Sequence, residues 1–159
     1  MTIVLKLALA AAALPLAALP AAAQDPHLDP TFGTIHLNSP YAPDPYVIDL
    51  TAGGELDAST ALDPSCVGTI ANAPDIRINY DAGSGVPLII SATSRVDTTL
   101  AVNAPDGQWY CNDDGPNGVN PSIRFNNPMS GRYEIYVGTF EVGGNAHPAR
   151  LHISQVGSQ

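Results

Sequence analysis

Beyond residue 23, apolar residues nowhere recur at helical spacing over three turns; instead, short runs alternate apolar with polar positions and end in clusters of Gly, Pro, Asn or Asp. Such alternation sends every second side chain to the same face of an extended strand. The pattern predicts strands at 34–37, 46–50, 55–58, 76–80, 87–92, 98–103, 108–111, 122–125, 132–137 and 150–155. In 132–137, Tyr133, Ile135 and Val137 share one face, predicted to be core, while Arg132, Glu134 and Tyr136 share the other, predicted to be wet. Between 98–103 and 108–111, Ala104-Pro105-Asp106-Gly107 offers proline at the second turn position and glycine where a positive φ is tolerated, so 98–111 reads as a hairpin. Many short strands at this spacing predict an all-β chain, an antiparallel β-sandwich or jelly-roll-like single domain.

The first 23 residues read differently. Met1 to Lys6 precede an alanine-rich apolar stretch, which ends at Ala21-Ala22-Ala23. This is the layout of a cleaved signal peptide. A membrane anchor is the competing reading, but Pro15 and Pro20 interrupt the stretch and most of it is only alanine. The expected organisation is a leader at 1–23, a flexible segment at 24–33 and the sandwich at 34–159, in a periplasmic or secreted protein with no membrane insertion after cleavage.

Charge narrows the partners. The whole chain has 6 Lys and Arg against 15 Asp and Glu, for a net −9, and loss of Lys6 with the leader makes it −10. Such a surface repels nucleic acid and anionic lipid and attracts cations. Lys6 is the only lysine, so Schiff-base, Ser-Lys and phosphate-loop chemistry are excluded from the mature chain.

Cys66 and Cys111 are the only 2 cysteines. A lone pair in an oxidising compartment is expected to form a disulfide, worth about 4 kcal/mol for a loop of this length. A reactive thiol or metal ligand is the alternative, but no Cys-x-x-Cys spacing or nearby histidine accompanies them.

No catalytic string is present, neither Gly-x-Ser-x-Gly nor Gly-Asp-Ser-Gly, and Ser84 in Gly83-Ser84-Gly85 reads as a turn. His27 and His36 fall toward the N-terminal segment, His147 precedes Pro148 in a loop, and His152 lies in the last strand, where a surface role is expected. There is no zinc spacing among them. Adjacent Asp113 and Asp114 point to opposite sides of an extended segment and do not make an acid-base pair.

Several short segments in order resemble the bacterial pre-peptidase C-terminal domain family: Asp97-Thr98-Thr99-Leu100, Pro105-Asp106-Gly107, Asn112-Asp113-Asp114-Gly115, Asn120-Pro121-Ser122-Ile123, and Ser130-Gly131-Arg132-Tyr133-Glu134-Ile135-Tyr136-Val137-Gly138. The likeness covers 70–155, and the upstream part is similar to small stand-alone exported members. It implies a compact jelly-roll sandwich, often dispensable for catalysis, that in some members binds calcium or a polymer; the usual attached catalytic domain is not found beside it.

Two candidate sites follow. Asn112, Asp113, Asp114, Asn117 and Asn120 supply hard oxygens in a glycine-containing loop, which Asp97 and Asp106 could approach; together these are candidate calcium ligands. The same residue types are what tight turns need, so turn chemistry stands as the alternative. Tyr110 and Tyr136 are candidate exposed aromatics for a binding surface. The function expected is a non-catalytic exported binding or accessory module for a protein, glycan or cell-envelope partner, with calcium as the one cofactor considered. A secreted hydrolase with no visible motif is the alternative.

Overall fold

The computed structural model describes residues 25–83, 85–116, 118–141, 143 and 145–159. The leader expected at 1–23 lies outside them, as do Ser84 and Asn117. The chain forms β1 (Thr34–Asn38), β2 (Tyr46–Ala52), β3 (Leu56–Asp57), α1 (Ala58–Ala61), β4 (Thr69–Ile70), β5 (Ile76–Asp81), β6 (Leu88–Ser94), β7 (Thr98–Asn103), β8 (Trp109–Asn112), β9 (Ser122–Phe125), β10 (Gly131–Thr139) and β11 (His147–Ser154). These build two sheets, one of seven strands and one of four, so the β-sandwich expected from the alternation is what the chain adopts.

In the larger sheet, β10 is central. Its Gly131 to Ile135 half pairs antiparallel with β5, its other edge pairs with β7, and β7 pairs with β8. The smaller sheet runs β2-β11-β6-β9. Ile76, Ile78, Leu100, Val102, Tyr133, Ile135 and Val137 from the larger sheet meet Leu50, Leu88, Ile90, Leu151 and Ile153 from the smaller one, forming the main core. Alternation alone accounts for this layer: each side chain is two residues from the next on its strand.

Three features depart from the expectations. β1 pairs parallel with β5, from Thr34↔Arg77 to Asn38↔Asp81, so the sheet is not wholly antiparallel. The strand expected at 55–58 stops after two residues, because Asp57 turns the chain into α1 by accepting from the Ser59 N–H at 2.9 Å. The third departure concerns β10. Glu134 and Tyr136, expected to be wet, are 1% and 0% exposed.

For Tyr136 the cause is a third layer, whereas Glu134 is enclosed with Arg77 and Arg132. The segment 56–70, whose ends β3 and β4 extend the larger sheet, brings Ala58, Cys66 and Ile70 against Ala101 and Tyr136 on its outer face, with Trp109 and Cys111 at the margin. The Trp109 and Tyr136 rings lie 5.5 Å apart. Cys66 is bonded to Cys111, so the expected disulfide staples this layer to β8 across a separation of 45 residues. A strand with two buried faces loses the wet half of its pattern, which no local reading of 132–137 reveals.

The N-terminal segment makes hydrogen bonds to the rest of the fold. Asp25, Thr31 and Phe32 donate backbone N–H bonds to Asn72, Pro74 and Asp75, and Arg77 reaches the Pro26 and Leu28 carbonyls at 3.3 and 2.9 Å. Arg77 is held in turn by Glu134 at 2.6 Å, with Arg132 on the same carboxylate at 2.9 Å. Burial raises the Glu134 carboxyl above its usual range while the two guanidinium groups pull it back.

Candidate functional site

Three of the candidate calcium ligands make hydrogen bonds within the fold. Asn112 Oδ1 accepts from the Ser122 N–H at 2.8 Å, and Asn120 Oδ1 accepts from the Ser94 N–H at 2.9 Å and the Thr98 hydroxyl at 3.2 Å. Asp106 caps its turn by accepting from the Gln108 N–H and the Tyr110 hydroxyl. These oxygens are therefore engaged by protein donors, in the way turn residues are. Asp113, Asp114 and Glu141 lie near enough to Asp97 that, with burial as the larger cause, they raise its carboxyl above the usual range. Among the described residues, no three His, Cys, Asp or Glu side chains gather to hold a metal. Asn117 lies outside the described residues. Of the candidate calcium ligands, Asn112, Asn120 and Asp106 brace turns and strand starts.

The aromatic pair also separates. Tyr136 is buried in the third layer and cannot meet a partner in this fold. Tyr110 is at the surface, but its ring stands edge-on to Phe125 at 5.0 Å and its hydroxyl is bonded to Asp106 at 2.8 Å. Phe125 continues to Tyr133 at 5.4 Å and Tyr133 to Tyr80 at 6.1 Å. The result is an aromatic train from surface to core that closes the seam between edge strands β8 and β9.

A concave site lies elsewhere, on the outer face of the smaller sheet. Strand register sets Asp49, Arg150 and Thr93 in one row across β2, β11 and β6, and Val47, His152, Ser91 and Ser122 in the next. Where β6 leaves for β7 and β11 begins, these rows open into a cleft of about 720 Å³, with Arg95 and Val96 of the β6–β7 turn on one side and His147 and Pro148 on the other. That size is within the range of ligand-binding clefts. Its walls are set by backbone-directed bonds. Ser94 donates its hydroxyl to the Pro148 carbonyl at 2.9 Å, and Asn120 Oδ1 accepts from both the Ser94 N–H and the Thr98 hydroxyl, so the turn carrying Arg95 is held at both ends. Asp49 and Arg150 are paired at 2.7 Å with both side chains largely exposed. Against solvent such a pair contributes little to stability and is better placed to orient a guanidinium.

His152 was expected at the surface; instead it is 9% exposed. Its Nε2 lies 2.9 Å from the Thr93 hydroxyl, while Nδ1 is buried with no hydrogen-bond partner among the described residues. Burial, with Arg150 adding to it, lowers its basicity. A hydroxyl beside an imidazole is the start of a nucleophile-base pair, yet the nitrogen that a carboxylate would orient faces nothing. This geometry bridges β6 and β11 rather than activating Thr93.

No sequence signal pointed to the cleft. Asp49, Arg95, His147 and Arg150, which line it, come from three segments spread over about a hundred positions and fit no motif. The register of β2 on β11 was the missing information.

No family model matches the chain, and no curated protein matches it. Among solved structures, it is similar to PliG from Aeromonas hydrophila, described as a periplasmic lysozyme inhibitor of g-type lysozyme, with 17% sequence identity, coverage of 76% of this chain and 96% of that chain, and a TM-score of 0.39. At that distance the likeness carries nothing over to the site.

Proposed function

We propose that the protein is an exported, non-catalytic binding module for a protein, glycan or cell-envelope partner, of the pre-peptidase C-terminal type that its sequence resembles. One observation carries this reading. A disulfide-stapled sandwich presents a cleft of about 720 Å³ lined in part by the solvent-facing ion pair of Asp49 and Arg150 and by Arg95. Binding sites built on strand rows need no reorganisation when the partner arrives, which lowers the entropic cost of association. The disulfide adds to the reading, since such bonds persist in oxidising compartments outside the cytoplasm.

The test is binding with recovery. Oxidised mature protein is immobilised, a purified envelope component that it retains is titrated, and that component is then recovered and weighed by mass spectrometry. Saturable, stoichiometric retention of an unaltered partner is the expected result. A partner recovered cleaved, with turnover above one per protein molecule, would overturn the reading in favour of a hydrolase.

A further inference from the structure

The five arginines that follow Lys6 are used unevenly. Arg77 and Arg132 hold the buried Glu134, and Arg124 donates to Asn126 at 2.9 Å. The other two, Arg95 and Arg150, line the same cleft together with His147. In a chain of net charge −9, two guanidinium groups sharing one concavity are a local reversal of sign. Arg150 is oriented by Asp49 through Nε at 2.7 Å, which leaves its Nη edge turned to another acceptor. Arg95 has no ion-pair or hydrogen-bond partner among the described residues, although the turn bearing it is pinned by Ser94 and Asn120.

We infer that this cleft is a carboxylate subsite, taking an acidic side chain from an extended, mixed-charge segment of a partner protein. The inference rests on the binding-module reading and names the chemistry of that same site. A guanidinium fork matches the two oxygens of a carboxylate and grips it with paired, charge-assisted bonds. A second cavity of about 350 Å³ adjoins the first, sharing Val96 and His147, and carries Asp97 and Glu141. A basic residue beside the acidic one would lie against those carboxylates, so a segment of alternating charge fits both. Polyanions fit poorly, because the whole surface repels them. Sugars bind chiefly by stacking on aromatic faces, and no Trp, Tyr or Phe lines the cleft.

The experiment uses the oxidised mature protein and three probes: a blocked tetrapeptide with one glutamate and one lysine, the same peptide with glutamine for glutamate, and a uronic-acid oligosaccharide. Arginine Nε–H signals are followed by NMR. The glutamate peptide is expected to move the Arg95 and Arg150 signals saturably and the glutamine peptide to leave them in place. Arg95→Gln should weaken binding about tenfold, the size of one lost charge-assisted hydrogen bond, and Arg95→Lys should restore part of it. Arg124→Gln should bind like the parent.

The subsite is overturned if neither peptide gives saturable shifts, if both shift the signals equally, if Arg95→Gln binds like the parent, or if only the oligosaccharide binds. A partner held intact and equally well by Arg95→Gln would remove the subsite and leave the binding-module reading standing. Turnover of the partner would remove that reading itself.

Discussion

The outward faces of the two sheets meet solvent in opposite ways. On the larger sheet, the segment 56–70 acts as a lid: Tyr136 and Ala101 are sealed beneath it and the Cys66–Cys111 bond ties it down. On the smaller sheet, the outer rows are Asp49-Arg150-Thr93 and Val47-His152-Ser91-Ser122, polar nearly throughout. A backbone segment crosses them too, with the Gln159 N–H donating to the Ser91 hydroxyl at 3.3 Å, but the end bearing Arg95 and Arg150 stays open. The covered face carries the disulfide staple, and the open face carries the proposed binding cleft. Changes on the first should therefore alter unfolding and leave the cleft's chemistry alone, and changes on the second should do the reverse.

Breaking the covered face should have the largest effect. Cys66→Ser, or reduction of the parent, is expected to lower unfolding free energy by about 4 kcal/mol, as expected for opening a loop of this length. Chemical denaturation with and without reductant reads it, and an unchanged midpoint would show that the third layer does not depend on its staple.

Asp75 comes next. Its carboxylate fills the break between β4 and β5, accepting from the Val137 N–H at 2.6 Å, and burial pushes its pKa from 3.8 up to about 7. Between those values the folded protein holds a proton that the unfolded chain has released. This contribution is whole below about pH 4 and is lost as pH rises through 7, amounting to on the order of 4 kcal/mol at most. Asp75→Asn keeps an acceptor for Val137 without the titration. The difference in melting temperature between pH 5 and pH 8 should shrink in this variant; an identical pH profile would show that Asp75 is not the group responsible.

Tyr136→Phe sharpens the comparison. The Tyr136 hydroxyl is buried without a partner among the described residues, so its removal should leave stability unchanged or raise it by about 1 kcal/mol. A loss of stability would mean that the hydroxyl is bonded in solution. On the open face, Asp49→Asn should cost less than about 1 kcal/mol, because its pair with Arg150 is solvent-exposed. A larger loss in thermal unfolding would mean that the open face is structural after all.

Calcium should matter least. With Asn112, Asn120 and Asp106 engaged by protein donors, millimolar calcium should raise the melting temperature no more than magnesium does. A calcium-selective rise would return Asp97, Asp113 and Asp114 to the list of ligands.

Much of the fold was legible in the chain. Alternation placed β1, β2, β5 to β7 and β9 to within a residue or two of their ends, and the Pro105-Asp106-Gly107 turn set the β7–β8 hairpin. Those signals are local: a strand's period and a turn's φ requirement are written in adjacent residues. β4 escaped because two residues cannot display a period. The site was less legible. Oxygen-rich turn residues resemble metal ligands because both roles use the same side chains, and only their actual donors, Ser122 N–H for Asn112 and Ser94 N–H for Asn120, tell them apart.

By itself, then, the sequence determined the all-β class, the main core, the single disulfide and the acidic character, since each depends on composition or on neighbours a few residues away. The tertiary structure decided that Tyr136 and Glu134 are covered, that β1 runs parallel to β5, and that Asp49, Arg95, His147 and Arg150 share a cleft. Those outcomes depend on which strands become neighbours and in what register, and a one-residue slip in register would turn each strand's faces over.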